Sequence, residues 1–506
     1  MKNQANDKTV FIVGLAIVLA IVLMGIFVPD ILSSVGNSLM AGVTGNFGWL
    51  YNISTFIFVI FCIWIAFSRF GSIKLGNEAP EYSRGTWFAM LFSAGMGIGL
   101  VFWGVAEPLN HFLSPVNTIE GGSVEAAQFA MRKSFLHWGL QPWAGYSVLG
   151  LTLAYIQFSK KKAGLISNLL LPFMGDRCSQ SGWGKLINIL ALFATTAGIA
   201  TSLGLGAQQI NSGLSYVFGI PDTALVKIIL VACITVVVIA STLSGMKKGV
   251  KYLSNINIVI AVLIVVLAFI IGPTIDILNT FTNTFGHYLQ DWLSDSLAIG
   301  DFVQESWYSS WTLFYWAWWI AWTPFVAPFV ARISRGRTIR EFVLGVLIAP
   351  SIASFFWFSV FGGMGLNSDL EVIRQAVQST STALFVVMGH YPMGSVISVL
   401  VILVLFTFFI TSANGATYVL GTLSTNGMAE PPARMKVTWA VLQSALALVL
   451  MLGSANGLTL LQTVSLAAAF PFIFVLYLSM AALLRFVREE TPLVKESSEH
   501  HKPLKV

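Results

Sequence analysis

Residues 311–331 read WTLFYWAWWIAWTPFVAPFVA, an apolar run long enough to cross the hydrocarbon core of a bilayer as a helix. Five of the chain's 16 tryptophans fall between Trp311 and Trp322. On a helix, Trp311, Tyr315, Trp318 and Trp322 share one stripe, flanked by Phe314 and Trp319. Tryptophan and tyrosine commonly mark headgroup depth, which accounts for Trp311. Trp318 and Trp322 lie too far inside the run for that role. Aromatic faces attract cations through their quadrupole, and a quaternary ammonium carries no N–H for ordinary hydrogen bonding. The stripe therefore reads as part of a cage for such a cation.

The rest of the chain has the same apolar character. Of 506 residues, 56% are hydrophobic and 10% are charged, where a soluble domain carries about a quarter charged residues. Lipid satisfies no backbone groups, so a chain without barrel-type alternation crosses as helices. About twelve spans are expected, near 10–28, 49–67, 87–106, 135–157, 187–208, 225–243, 254–271, 311–331, 342–364, 394–412, 437–455 and 459–484. The first is not read as a signal peptide. No small-residue cleavage site follows it, and Phe27, Val28 and Pro29 lead into another loop.

Placing both termini in the cytoplasm puts all but four of the 28 Lys and Arg on the inner side. The four are Arg132, Lys133, Lys227 and Arg374. Inner groups include Lys160–Lys162, Lys247/Lys248/Lys251, and Arg332, Arg335, Arg337 and Arg340, the last four expected to anchor the eighth span. This is the positive-inside asymmetry of a polytopic membrane protein. It accounts for the net charge of +6 without a nucleic-acid partner. Cys62, Cys178 and Cys233 are too few and too scattered for a disulfide framework or a metal site.

The expected fold is all-α. A short tail and two peripheral spans (1–86) precede two five-helix repeats (87–271 and 311–484). The repeats are separated by an outer segment (272–310), and a short solvated tail follows (485–506). An odd number of spans per repeat makes the halves inverted, an arrangement that places substrate at the midplane between discontinuous helices. Two outer segments are long: 107–134, with Pro108, Pro115 and Gly121-Gly122, and 272–310. The second carries Asp276, Asp291, Asp295, Asp301 and Glu305 beside Tyr288, Leu289, Trp292 and Leu293, a pattern for a helix lying on the membrane surface.

Within the third span, Gly95-Met96-Gly97-Ile98-Gly99 places three glycines in five positions. Each costs a helix interior about 1 kcal/mol relative to alanine. Unwinding there would turn backbone N–H groups toward an anion; a GxxxG packing pair, Gly95 with Gly99, fits the pattern equally well. The fourth span holds Trp138, Trp143 and Tyr146 after His137, which by themselves read as core. The tenth ends in Phe408 to Asn414 with Thr411 and Ser412 adjacent. Such hydroxyls could hold a small hard cation, although in membrane helices they more often bond back to their own helix. All Asp and Glu fall in loops, tails or span ends, Glu107 and Glu341 being nearest the interior. Proton-coupled carriers often use a buried carboxylate or histidine, and only His137 qualifies. Sodium coupling is favoured. No HExxH, P-loop or nucleophile–base pair suggests an enzyme.

These stretches together resemble the betaine/choline/carnitine transporter family across nearly the whole chain. The specific pieces are Gly95–Gly99 with the following VFWGVAEP, the HWGLQPW of the fourth span, and FYWAWWIAWTPFVAPFVARISRGRTIREF from Phe314 to Phe342. Length and short tails are most similar to glycine betaine carriers. The resemblance implies alternating access in a twelve-span inverted-repeat fold. It also implies an aromatic box of Trp138, Trp143, Tyr146 and Trp319, with Trp318, Trp322 and Phe314 lining the path. Backbone amides of Gly95, Met96, Gly97 and Gly99 would receive the substrate carboxylate. Choline carriers of the family tend to have Asp where this chain has Gly99, which favours a zwitterion here.

For the coupling ion, the resemblance maps one sodium site onto Ser93, Met96, Phe408, Thr411 and Ser412. Sodium-independent carnitine exchangers carry an Arg at the position of Asn257. A further sodium site is matched by Thr195 and Phe325, but its second threonine aligns with Ile199; Thr196 and Thr201 are the neighbouring hydroxyls. The expected protein is a sodium symporter importing a trimethylammonium zwitterion, glycine betaine first, across a bacterial cytoplasmic membrane. The rivals are choline, carnitine, a sulfonium or ectoine, by proton coupling or exchange. No cofactor beyond sodium is expected. Family members are trimers, and long charged tails give some of them osmotic gating, which this short tail does not suggest.

Overall fold

The computed structural model describes residues 8–95, 97–243, 247–300, 305–428, 430–453 and 458–499; at 93–95, 247–252, 305 and 490–499 it describes the backbone alone. Met96 and the side chains of Ser93 and Gly95 thus lie outside the described residues. The described chain is helical throughout, without a strand; one isolated antiparallel bridge joins Lys74 to Thr338.

Ten helices are long and apolar enough to cross a membrane. The third and fourth expected spans are missing from that set because each is broken. The third divides into Arg84–Gly95 and Ile98–Leu113, with Gly97 fully extended (φ −154°, ψ −173°) at the break. The fourth divides into Val124–Trp138 and Leu140–Ala154 around Gly139. A Cβ on Gly139 would fall 2.5 Å from the Phe135 carbonyl oxygen and 3.0 Å from the Phe355 ring, so the break requires glycine. Among the described residues, these ten helices and the two broken ones make the architecture that of an all-α membrane protein.

Several boundaries differ from those expected. Residues after Pro29 form no loop: one helix runs Pro29–Phe67, with proline at its first turn, where a missing N–H costs nothing, and Asp30 beside it. The outer loop expected from 107 begins only at Ser114. Pro108 does not end its helix, and its ring packs against Gly362, where a Cβ would lie 2.9 Å from Pro108 Cγ. The tenth span continues to Ser424, so Thr411 and Ser412 sit mid-helix. The last helix runs Thr459–Glu499, which makes most of the expected tail helical. A helix, Thr274–Leu297, does run through the second long segment, but Tyr288 turns inward, edge-on to the stacked rings of Phe135 and Phe355, and Asp295 is buried.

Two clusters of charge hold this frame. In one, Lys133, 1% exposed, lies 2.8 Å from Asp295, and Arg132 bridges Asp295 (2.8 Å) and Asp291 (2.7 Å). In the other, the chain before the third span is clasped to the chain after the eighth. Leu75 N donates to Arg337 O (2.8 Å), Gly336 N to Leu75 O (2.8 Å) and Ile339 N to Ile73 O (2.9 Å). Arg335 forks onto Glu78 and Arg332 onto Glu81. Arg337 lies 4.0 Å over the Trp87 ring, and Arg340 donates to Ala66 O. Hydrogen bonds from Arg335 and Arg332 hold the carboxyls of Glu78 and Glu81 below the ordinary carboxylate range.

Candidate functional site

The aromatic stripe of the eighth span meets both broken helices at one place. Phe314 stacks on Trp318 (centroids 5.6 Å) and Trp318 on Trp319 (4.9 Å, 15° between planes). Trp138, at the end of its half-helix, stands edge-on to Trp319 at 4.8 Å and to Trp318 at 6.1 Å. Trp319 Nε1 donates 2.9 Å to the His137 carbonyl, one of those a helix end leaves unpaired. The break at Gly139 thus both ends the helix and supplies the anchor for Trp319. Gly99 lies under the same rings: a Cβ there would fall 2.4 Å from Trp318 Cη2 and 3.1 Å from Trp138 Cη2. A Cβ on Gly97 would meet nothing within 4 Å.

Trp143 and Tyr146 pair with each other at 5.4 Å on the other half-helix, both buried, without ring contact to Trp138 or Trp319. Trp322 Nε1 donates to Gly198 O (2.8 Å) and Ser202 Oγ (3.0 Å), and Trp318 Nε1 to Ser202 Oγ (3.3 Å). Trp311 lies within a π-helical turn, Ser309–Leu313, half-buried, and packs edge-on to Trp103 (5.4 Å) and His111 (4.4 Å).

Glu107 is the buried acid that the sequence hides. Expected at a span end, its side chain is fully buried. One oxygen, Oε2, accepts from Trp138 Nε1 (2.8 Å) and Tyr315 OH (2.5 Å); the other, Oε1, lies 2.7 Å from His137 Nδ1. His137 Nε2 is 3.0 Å from Thr312 Oγ1. His111 Nε2 is 3.4 Å from Glu107 Oε1 without hydrogen-bond geometry, and both its ring nitrogens are buried and unpartnered. Glu107, His111 and His137 also present three donor atoms of metal-ligand type within 4.8 Å of one another. The i,i+4 spacing of Glu107 and His111 was the available signal, because it places both on the helix face that His137 approaches. The expectation that no carboxylate lies inside the bundle is therefore incorrect.

Among the expected cation ligands, Phe408 is buried, and Thr411 Oγ1 donates back to Thr407 O (3.0 Å) and Phe408 O (3.2 Å) while accepting from Asn257 Nδ2 (3.1 Å). Asn257 Oδ1 is buried without a partner. Ser412 is half-buried on the same helix. Thr195 Oγ1 is likewise buried and unpartnered, whereas Thr196 bonds back to Leu192 O and Thr201 to Leu461 O and Ser465. Phe325 packs against Gly415 of the tenth span.

A bundle of membrane-crossing helices, two of them broken where they face a wall of tryptophans, defines a membrane carrier. Comparison with known proteins narrows the class. Residues 9–492 match the family described as BCCT, betaine/carnitine/choline family transporter. The chain is 45% identical over 501 residues to the glycine betaine transporter OpuD of Bacillus subtilis, covering 98% of this chain and 97% of that one. It is 44% identical to a probable glycine betaine transporter of Desulfitobacterium hafniense (97% of this chain, all of the other). An ectoine/hydroxyectoine transporter of Virgibacillus pantothenticus is 41% identical over 506 residues, 99% of this chain and 100% of its own. The chain belongs to the betaine/carnitine/choline transporter family, a family of transporters rather than enzymes.

Proposed function

We propose that this protein imports a trimethylammonium zwitterion, glycine betaine foremost, by sodium symport and alternating access between two inverted five-helix repeats. The observation that carries the reading is the tryptophan wall of Trp138, Trp318 and Trp319 set against the break at Gly97–Gly99. A cation held within about 6 Å of each ring centroid needs rings on opposite sides that do not touch each other. Trp143 and Tyr146, out of contact with Trp138 and Trp319, suit the facing wall. The free N–H groups at the start of Ile98–Leu113 suit the carboxylate. Ectoine, the cargo in the name of one relative, also joins a delocalised cation to a carboxylate and is the nearest alternative.

Sodium is supported by oxygens without other duty. Thr195 Oγ1 and Asn257 Oδ1 are buried and unpartnered, and leaving such groups unpaired is costly. The fifth and eighth spans, an odd number of crossings apart, run antiparallel, so one turn from the Trp322–Gly198 contact would bring Thr195 and Phe325 to the same level. Sodium bound by Thr411 and Ser412, or by Thr195, would stabilise the outward-facing state by preferential binding. Both termini would lie in the cytoplasm of a bacterium, and the family suggests a homotrimer. Proton coupling is the second reading, favoured by the buried Glu107–His137 pair.

The test is uptake of labelled glycine betaine into proteoliposomes under an inward sodium gradient, a proton gradient, or neither, with Trp319→Ala as control. Saturable, sodium-driven uptake that the variant loses supports the proposal. Uptake driven by protons alone would remove the sodium assignment, and transport unaffected by the substitution would remove the cage.

A further inference from the structure

We propose that Glu107 is the counter-charge to the substrate's quaternary ammonium, acting from behind the Trp138 indole. This rests on the trimethylammonium reading above and concerns the same site. An aromatic cage attracts a cation through weak quadrupoles. Taking a full positive charge out of water is costly unless an opposite charge lies near.

The hydrogen bonds around Glu107 fit an ionised carboxylate. The indole of Trp138 can only donate, and an ionised carboxylate accepts at both oxygens. Oε2 receives that N–H together with the Tyr315 hydroxyl, and Oε1 faces His137 Nδ1. The Thr312 hydroxyl, 3.0 Å from His137 Nε2, supplies the donor that a neutral imidazole needs there. With His137 neutral and its proton on Nδ1, three neutral donors solvate one negative charge. The positive charges nearest the cluster on the outer side, Lys133 and Arg132, are spent on Asp295 and Asp291. Among the described residues, the carboxylate is separated from the box by the width of one indole. A buried acid that only fixed Trp138 could be replaced by any acceptor. One that also neutralises the ligand cannot be replaced by an uncharged group.

At roughly 8 Å through an effective dielectric near 20, a unit charge changes affinity for a cation on the order of tenfold or more. The discriminating experiment uses a pair of ligands of the same shape. Glycine betaine and 3,3-dimethylbutanoate share a carboxylate and a three-methyl head; carbon replaces the charged nitrogen in the second. Equilibrium binding of each to the purified full-length protein is followed by tryptophan fluorescence. In Glu107→Gln, betaine affinity should fall about tenfold while affinity for the carbon isostere stays within about twofold. Tyr315→Phe removes a donor and keeps the charge, so it should preserve the wild-type preference for betaine even if Glu107→Gln does not fold.

Equal losses for both ligands in Glu107→Gln would reduce Glu107 to a support for Trp138 and overturn the proposal. So would an unchanged preference in that variant, or a lost preference in Tyr315→Phe. A wild-type protein that binds the isostere as well as betaine would overturn the counter-charge while leaving the site. A wild-type protein that binds neither would overturn the betaine reading itself.

Discussion

Substituting alanine for Gly99 adds one carbon at the tightest point of the tryptophan wall. That carbon would stand 2.4 Å from Trp318 Cη2, 3.2 Å from Trp318 Cζ2 and 3.1 Å from Trp138 Cη2. Carbon atoms rest at about 3.5–4.0 Å, so the Trp318 ring must withdraw by roughly 1 Å. It has little room to do so, being stacked between Phe314 and Trp319 and tied through Nε1 to Ser202. Displacement of Trp318 therefore passes to Trp319. Overpacking of this kind costs about 1–3 kcal/mol, equivalent to roughly a 5- to 150-fold loss of affinity if it falls on the bound state. The assay is glycine betaine binding to purified Gly99→Ala, with Gly97→Ala as the paired control. Gly97 has open space beside it and an extended backbone that any residue adopts, so its variant should stay within about threefold of wild type. Wild-type affinity in Gly99→Ala, or a larger loss in Gly97→Ala, would refute the steric reasoning.

Thr195→Val replaces an unpartnered buried hydroxyl with a methyl, so thermal stability should hold or rise. The sodium concentration for half-maximal uptake should rise by about tenfold if that oxygen binds the ion, and an unchanged sodium dependence would remove it from the site. Lys133→Met leaves Asp295 with Arg132 as its remaining partner and should destabilise the protein by about 1.5–3 kcal/mol in detergent melting, with part of the loss recovered in Lys133→Met/Asp295→Leu. In the clasp the Glu81 carboxyl is held below its ordinary range, so its contribution is present above that range and is lost as pH falls through the lowered native value. Glu81→Gln should accordingly melt earlier than wild type at neutral pH and together with it in acid; a difference that grows on acidification would contradict the assignment.

The apolar periodicity made ten crossings legible because a lipid-spanning helix announces itself by length alone. Of the two broken crossings only the first left a mark in the sequence, three glycines in five positions at Gly95–Gly99. The fourth was expected unbroken, and its break at Gly139 is enforced by Phe355 and the Phe135 carbonyl, which no sequence pattern reveals. Pro29 and Pro108 misled in opposite senses: one starts a helix and the other is absorbed within one. Glu107 was the largest omission. An acid next to proline near the end of an apolar run reads as a solvated terminus, yet helix Val124–Trp138 closes over it with His137 and Trp138. Burial of that kind is a tertiary property, decided by a helix some thirty residues further on. The tryptophans of the eighth span were legible as a stripe, but which of them face one another depends on where the fourth span breaks.

The π-helical turn at Ser309–Leu313 sits directly between two groups of aromatic residues with different neighbours. Above it Trp307 and Tyr308 lie against Phe129, His111 and Lys133; below it Phe314 and Trp318 line the wall. Such a turn holds one residue more than an α-helical turn, and each residue advances a helix by about 100°. It therefore works as a phase shifter, letting the outer cap and the inner wall point in directions that a continuous helix could not combine. Insertion or deletion of a single residue there would re-aim one group without disturbing the other. Variation in chain length at 309–313 would then turn Trp307 and Tyr308 relative to Phe314 and Trp318 without a substitution in either group.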